Sequence, residues 1–192
     1  MIPSADLRPL LHAVTGLFAL CLGFLSWELG MVGACLGLLA GWVVIPMTSL
    51  EARLRRPGEP FLGGLRTYPV AVFLLVLLLP STIAATAWVV FAAGDAAASL
   101  VGRHVKAPAV FGHRKATWSG TPAFVVVGTL AGLGAQAFVA ATGGGPGVRW
   151  AFVVAAAVAA ALVDLVRIPP DDNVPNAAAA GLVLAWAAGV LG

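Results

Sequence analysis

Between residues 10 and 47 the chain carries a single carboxylate, Glu28, and no Lys or Arg. A soluble core of this size would still need charged surface along its whole length, so this interval reads as chain solvated by lipid. Composition extends the point to the whole molecule. Of 192 residues 60% are hydrophobic and 10% charged, and the mean hydropathy is +0.99; soluble domains carry roughly 25% charged residues. No cleavable leader is expected, because Asp6 and Arg8 precede an apolar stretch too long for a signal-peptide core and no A-x-A site closes it. Cys21 and Cys35 fall in apolar segments and are expected to be small packing residues rather than disulfide or metal partners. The net charge of +3 does not point to nucleic acid, since the 11 basic residues are spread over several loops and form no continuous basic surface.

Apolar runs place helices over residues 10–26, 29–47, 119–141, 150–166 and 174–191, each close to the ~20 residues that cross ~30 Å of hydrocarbon. The stretch 68–102 would be about 50 Å long as one straight helix, at ~1.5 Å per residue. Pro80-Ser81-Thr82 has the chemistry of a helix start, which divides the stretch into a short helix over 68–79 and a second over 81–101. Charge parity supports the division. With seven crossings, Arg8, Arg53, Arg55, Arg56, Arg66, Arg103, Lys106, Arg114, Lys115 and Arg167 share one side, leaving Arg149 opposite. The positive-inside rule then puts the N-terminus in the cytoplasm and the C-terminus outside. The expected fold is an all-α, integral membrane bundle of about seven transmembrane helices, forming a single domain over 1–192. Gly143-Gly144-Gly145-Pro146-Gly147 becomes a tight turn on the outer side, without the Lys that a Walker loop needs.

The same topology gathers the unusual polar residues on the inner side. Asp95 lies about two turns inside the end of its helix, where a carboxylate costs ~2.5–3.5 kcal/mol on insertion scales. Such a residue pairs with an Arg or serves a site; the second reading is favoured here. Gly94, Ala98 and Gly102, spaced by four, let a neighbouring helix or a ligand approach the backbone beside it. The following loop carries Arg103, Lys106, His113, Arg114 and Lys115. Alone it would be a topology anchor. However, Lys115 and Thr117 stand just before the next helix, whose N–H groups and positive dipole end favour phosphate. The third element is Asp164 followed by Asp171-Asp172-Asn173, hard oxygen ligands suited to Mg²⁺ shared with substrate phosphates. Alone, Asp172 or Asn173 would be a helix cap with Pro175 in the first turn. Arg8 and His12, at i and i+4, are candidate accessories to the same site or surface anchors. Arg53-Leu54-Arg55-Arg56 reads as an orientation signal or anionic-lipid contact, and Glu28 has no assigned role.

Taken in order, these elements resemble the phytol kinase, dolichol kinase and CTP-dependent diacylglycerol kinase family of membrane lipid kinases, itself distantly similar to phosphatidate cytidylyltransferases. Gly94-Asp95-Ala96-Ala97-Ala98 with Gly102-Arg103 resembles the family's G-D-x-x-A…G-R block. Arg114-Lys115-Ala116-Thr117-Trp118-Ser119-Gly120 is similar to its R-K-T/S-x-x-G segment, and Asp172-Asn173-Val174-Pro175 to its D-N-x-x-P element. Arg8…His12…Gly16 is similar to its R-K-x-x-H-x-x-x-G beginning, and Asp164 stands where relatives often have Glu. The second Asp-rich D-R-x-D-S element of the cytidylyltransferases does not follow the sixth helix.

The resemblance implies transfer of the terminal phosphoryl group of a nucleoside triphosphate, CTP or ATP, to the hydroxyl of a lipid alcohol such as phytol, geranylgeraniol or another polyprenol. It implies Mg²⁺ held by Asp95 and Asp172 with Asp171 and Asp164 in support. Phosphate would be bound by Arg103, Arg114, Lys115, Thr117 and Asn173, and Asp95, Lys115 and Asp172 would be catalytic. Asp95 is the candidate to take the alcohol proton. Arg8, His12, Ser99 and His113 are possible accessories. The expected partners are a lipid alcohol, the triphosphate and membrane lipids, not nucleic acid, with the site on the cytoplasmic face of the cell membrane. A CDP-lipid synthase and a non-enzymatic transporter or scaffold remain the alternatives.

Overall fold

The computed structural model describes residues 4–55, 61–105, 107–110, 116–166 and 168–191. Among the described residues the chain is all-helical, with no strand and one isolated antiparallel bridge between Ala109 and Thr117. The helices are α1 (Ser4–Gly16), α2 (Trp27–Leu39), α3 (Leu50–Leu54), α4 (Gly64–Leu78), α5 (Ser81–His104), α6 (Gly120–Ala141), α7 (Trp150–Asp164) and α8 (Asn173–Ala187).

Two of these continue in altered winding. Past α1 the chain tightens to a 3₁₀ run, Leu17–Gly23. The change follows Thr15, whose hydroxyl bonds back to the carbonyls of Leu11 (2.8 Å) and His12 (3.0 Å), a contact that loosens the backbone ladder. Past α2 comes a π turn, Ala40–Val44, and a 3₁₀ turn, Ile45–Met47. Pro46 explains the widening: it has no N–H, and its ring would strike the carbonyl four residues back. Including these turns, Trp27–Met47 joins α5 and α6 as three helices long and apolar enough to cross a membrane.

The split at Pro80 falls where the sequence places it, with Leu79 extended and α5 starting at Ser81. Several expected bounds move: the last helix ends at Ala187 rather than residue 191, and α5 runs to His104 rather than 101. The first helix begins at Ser4 rather than residue 10, and the short third helix begins at Gly64 rather than residue 68. The extra turn of α4 carries Arg66, whose guanidinium is buried, bonded to Glu51 (3.1 Å) and the Phe61 carbonyl (3.1 Å), and stacked on the Phe61 ring. This tie fixes α3 against the start of α4. Arg66, counted in the sequence as an orientation charge, is thus also a strut.

α5 is the hub, buried along most of its length and packed on α1, α4, α6, α7 and α8. Its closest partner is α6. A Cβ at Gly120 would lie 2.9 Å from the Ala98 carbonyl oxygen and one at Gly128 2.9 Å from that of Val90, while Phe124 covers Gly94. The four-residue stripe of small residues therefore serves helix packing, in the manner of membrane helix pairs. At the far end, Gly143 and Gly145 adopt positive φ (111° and 93°), and Thr82 donates to the Gly145 carbonyl at 2.7 Å, so the glycine turn caps the start of α5. α2 is the opposite of α5: past Glu28 in its first turn it is apolar on every side, yet buried only at Gly30 and Ala34. Its exposed Leu29, Val32, Leu36 and Leu39 join Leu17, Phe18, Val126, Leu130, Leu162, Leu182 and Trp186 as apolar outer surface. Cys21 and Cys35, expected as packing residues, are exposed on that surface.

Candidate functional site

One end of the bundle collects the start of α1, the starts of α4, α6 and α8, and the ends of α5 and α7. A polar cavity of about 250 Å³ opens there, lined by Asp95, Ser99 and Arg103 of α5, Asp164 of α7, Asp172 and Asn173 at α8, and Arg8 and His12 of α1. Thr117 and Thr121 close it from the α6 side. Residues remote in sequence, from Arg8 to Asn173, thus meet because α5 is central and the helices around it alternate in direction.

Asp95 is partly buried and pairs with His12, Nδ1 to Oδ2 at 3.2 Å. The ring of His12 stacks on Tyr68 with centroids 4.3 Å apart. Tyr68 is itself fixed: its hydroxyl accepts from Trp88 Nε1 (2.9 Å), donates to the His12 carbonyl (3.3 Å) and lies 2.9 Å from Thr15 Oγ1. A carboxylate on Nδ1 favours the tautomer in which Nε2 can accept a proton, so the pair can act as a general base with Asp95 orienting the imidazole. Tyr68 and Thr15 were not singled out in the sequence. The signal available was that Tyr68 is the lone tyrosine, set in an apolar helix.

The adjacent carboxylates Asp171 and Asp172 part ways. Asp171 is buried; its Oδ2 is 3.6 Å from Arg8 Nη2, and its Oδ1 accepts from Thr67 Oγ1 (3.0 Å) and the Asn173 N–H (3.0 Å). It is absent from the cavity lining and acts as a strut rather than as the supporting metal ligand the sequence suggested. Asp172 lines the cavity. Asn173 is 3% exposed, and its Nδ2 donates to the Gly64 carbonyl (3.2 Å) and Thr67 (3.0 Å), so its amide clamps α8 to α4. Gly64 is needed here, because a Cβ would collide with the Arg8 guanidinium. Asp164 accepts from Asn176 Nδ2 at 3.1 Å, a buried partner that the sequence reading missed.

At the start of α6, Thr117 Oγ1 accepts from the Gly120 N–H at 3.0 Å, and the Thr117 carbonyl lies 3.2 Å from the Thr121 nitrogen. The hydroxyl expected to meet phosphate lines the cavity and also accepts from the start of α6, so the first α6 N–H groups are engaged. The helix dipole still points at the cavity. Lys106, His113, Arg114 and Lys115 lie outside the described residues, as do Arg56 and Arg167. The strands of chain leading to that segment are pinned by the Val110–Ala116 (2.9 Å) and Trp118–Pro108 (3.1 Å) backbone bonds.

No group of three or more His, Cys, Asp or Glu side chains close enough to hold a metal occurs among the described residues. The donor set still suits Mg²⁺ of the kind bound by one or two carboxylates and completed by substrate phosphates and water, since Asp95, Asp164 and Asp172 face one cavity. Comparison with protein-family models, curated proteins and solved structures finds no match.

Proposed function

We propose that this chain is a membrane-embedded lipid-alcohol kinase that transfers the terminal phosphoryl group of a nucleoside triphosphate, CTP by resemblance, to an isoprenoid alcohol. The observation that carries the reading is the meeting of Asp95, Asp164, Asp172 and Arg103 in one polar cavity at the end of an otherwise apolar bundle. Ionisable groups at membrane depth are costly and mark functional sites by default. Exposed apolar faces on α2, α6, α7 and α8 support lipid as the outer solvent, with seven crossings and the cavity towards the cytoplasm.

In this reading Arg103 neutralises phosphate charge at the mouth of the cavity, and the dipole of α6 adds to it. Mg²⁺ bound with the triphosphate would be held by Asp95 and Asp172, with Asp164 in reach, and would offset charge on the transferred group. The acceptor oxygen attacks the terminal phosphorus. The new P–O bond forms as the bond to the bridging oxygen breaks, the nucleoside diphosphate leaves, and the hydroxyl proton passes to the His12–Asp95 pair.

Purified protein given labelled CTP, Mg²⁺ and geranylgeraniol should yield a lipid monophosphate and CDP, and Asp95→Asn should abolish this while the protein still inserts. Pyrophosphate and a CDP-lipid as products would make it a synthase. No product, and no thermal stabilisation by CTP with Mg²⁺, would leave a transporter or scaffold.

A further inference from the structure

A second, larger cavity adjoins the polar one. It is an apolar groove of about 550 Å³ running between α1 with its 3₁₀ extension, α2 and α4, with Trp88 of α5 at its floor and Leu50 and Leu54 of α3 at one end. Arg8 and His12 line both cavities, so the groove ends at the pair that includes Asp95. Its volume lies in the range of ligand sites.

Two glycines distinguish this groove from imperfect packing. α2 touches its neighbours near Gly30, where a Cβ would lie 3.1 Å from Leu22, and the π turn that continues it does so at Gly41, where a Cβ would lie 2.6 Å from Pro69. Between them, Gly33 and Gly37 line the groove, and a Cβ at either would meet nothing within 4 Å. Neither takes a positive φ. Glycine is a poor helix former beside alanine, and no contact among the described residues requires these two. What they keep is empty space.

We propose that the groove is the acceptor site and takes one extended hydrocarbon chain, with its hydroxyl end at His12 and Arg8. The hydroxyl assignment rests on the lipid-alcohol reading above; the chain assignment rests on the groove. From Gly30 to Ile45 the groove wall is about 22 Å long at ~1.5 Å per residue. One continuous groove with one polar end, at Arg8 and His12, suits a single-chain alcohol rather than a diacylglycerol, whose two chains leave one glycerol unit.

The two native cysteines provide the test. Both are exposed; Cys21 lines the open groove, whereas Cys35 lies on α2 outside it. In detergent-solubilised protein, geranylgeraniol at ten times its dissociation constant should slow maleimide labelling of Cys21 about ten-fold by mass action, leaving Cys35 unchanged. Dioleoylglycerol, and the corresponding hydrocarbon without a hydroxyl, should protect weakly or not at all. Gly37→Leu, and separately Gly33→Leu, should abolish protection while keeping the wild-type thermal unfolding temperature, because leucine is the better helix former and neither position touches protein.

Equal slowing at both cysteines, equal protection by dioleoylglycerol, or protection that survives both leucine variants would overturn the proposal. The labelling needs no turnover. A chain that protects Cys21 but makes no lipid phosphate would keep the groove and remove the kinase; lipid phosphate without protection of Cys21 would do the reverse.

Discussion

At the scale of single residues, adjacent side chains carry opposite duties. Asp171 is enclosed by Arg8, Thr67 and the Asn173 N–H, whereas Asp172 faces the cavity. Asp171→Asn keeps the shape but removes the charge facing Arg8, so thermal unfolding in detergent should record a loss of about 2 kcal/mol, the scale of a hydrogen bond to a charged group. Asp172→Asn should leave that unfolding temperature nearly unchanged and reduce lipid phosphate formation at least ten-fold. The reverse pattern would exchange their assignments. The sequence could bring both carboxylates to the right place but could not separate them, since side-chain direction at a helix start is decided by tertiary partners, here Arg8 and Thr67, more than a hundred positions away.

At the scale of elements, what was legible came from residues with one physical meaning. Pro80 allowed the break between α4 and α5, and Gly143 and Gly145 the turn that caps α5. The Gly94, Ala98, Gly102 stripe foretold a close approach, which α6 makes. The groove was not legible, because its walls use the same apolar residues as a packed core and only the absence of a neighbour distinguishes them. Likewise the sequence could not tell that Thr117, expected at phosphate, also accepts from the first N–H of its own helix. α6 offers an internal comparison for the packing argument. Gly128 meets the Val90 carbonyl oxygen, which cannot yield, whereas Gly134 on the same helix has open space around it. Gly128→Ala should lower the unfolding temperature by several degrees, and Gly134→Ala should hold or raise it through the ~1 kcal/mol helix preference of alanine. Equal effects at the two sites would mean that α5 and α6 are not held by backbone contact.

At the scale of the whole molecule, the proposed seven crossings must reconcile two facts. α5 and α6 are long enough for ~30 Å of hydrocarbon, yet α4, α7 and α8 have 15 residues each, about 22 Å at ~1.5 Å per residue. The recessed polar cavity reconciles them. α4 and α8 begin beside it and α7 ends beside it, so where water enters the bundle these helices need to cover only the remaining depth. The other end is defined by Thr82 bonded to the Gly145 turn, with Gly23 against Thr142. Alternating crossings then put Arg149 outside and Arg103 inside, which agrees with the bias of basic residues. The expectation can be measured in a background with Cys21 and Cys35 replaced by alanine. Arg149→Cys should react with a membrane-impermeant maleimide on intact cells, and Arg103→Cys only after permeabilisation. Reaction of both on intact cells would mean that α6, the one described helix between the two sites, does not cross, although it is 22 residues long and apolar. Reaction in the opposite order would invert the bundle and carry the polar cavity away from cytoplasmic nucleotide, which the kinase reading could not survive.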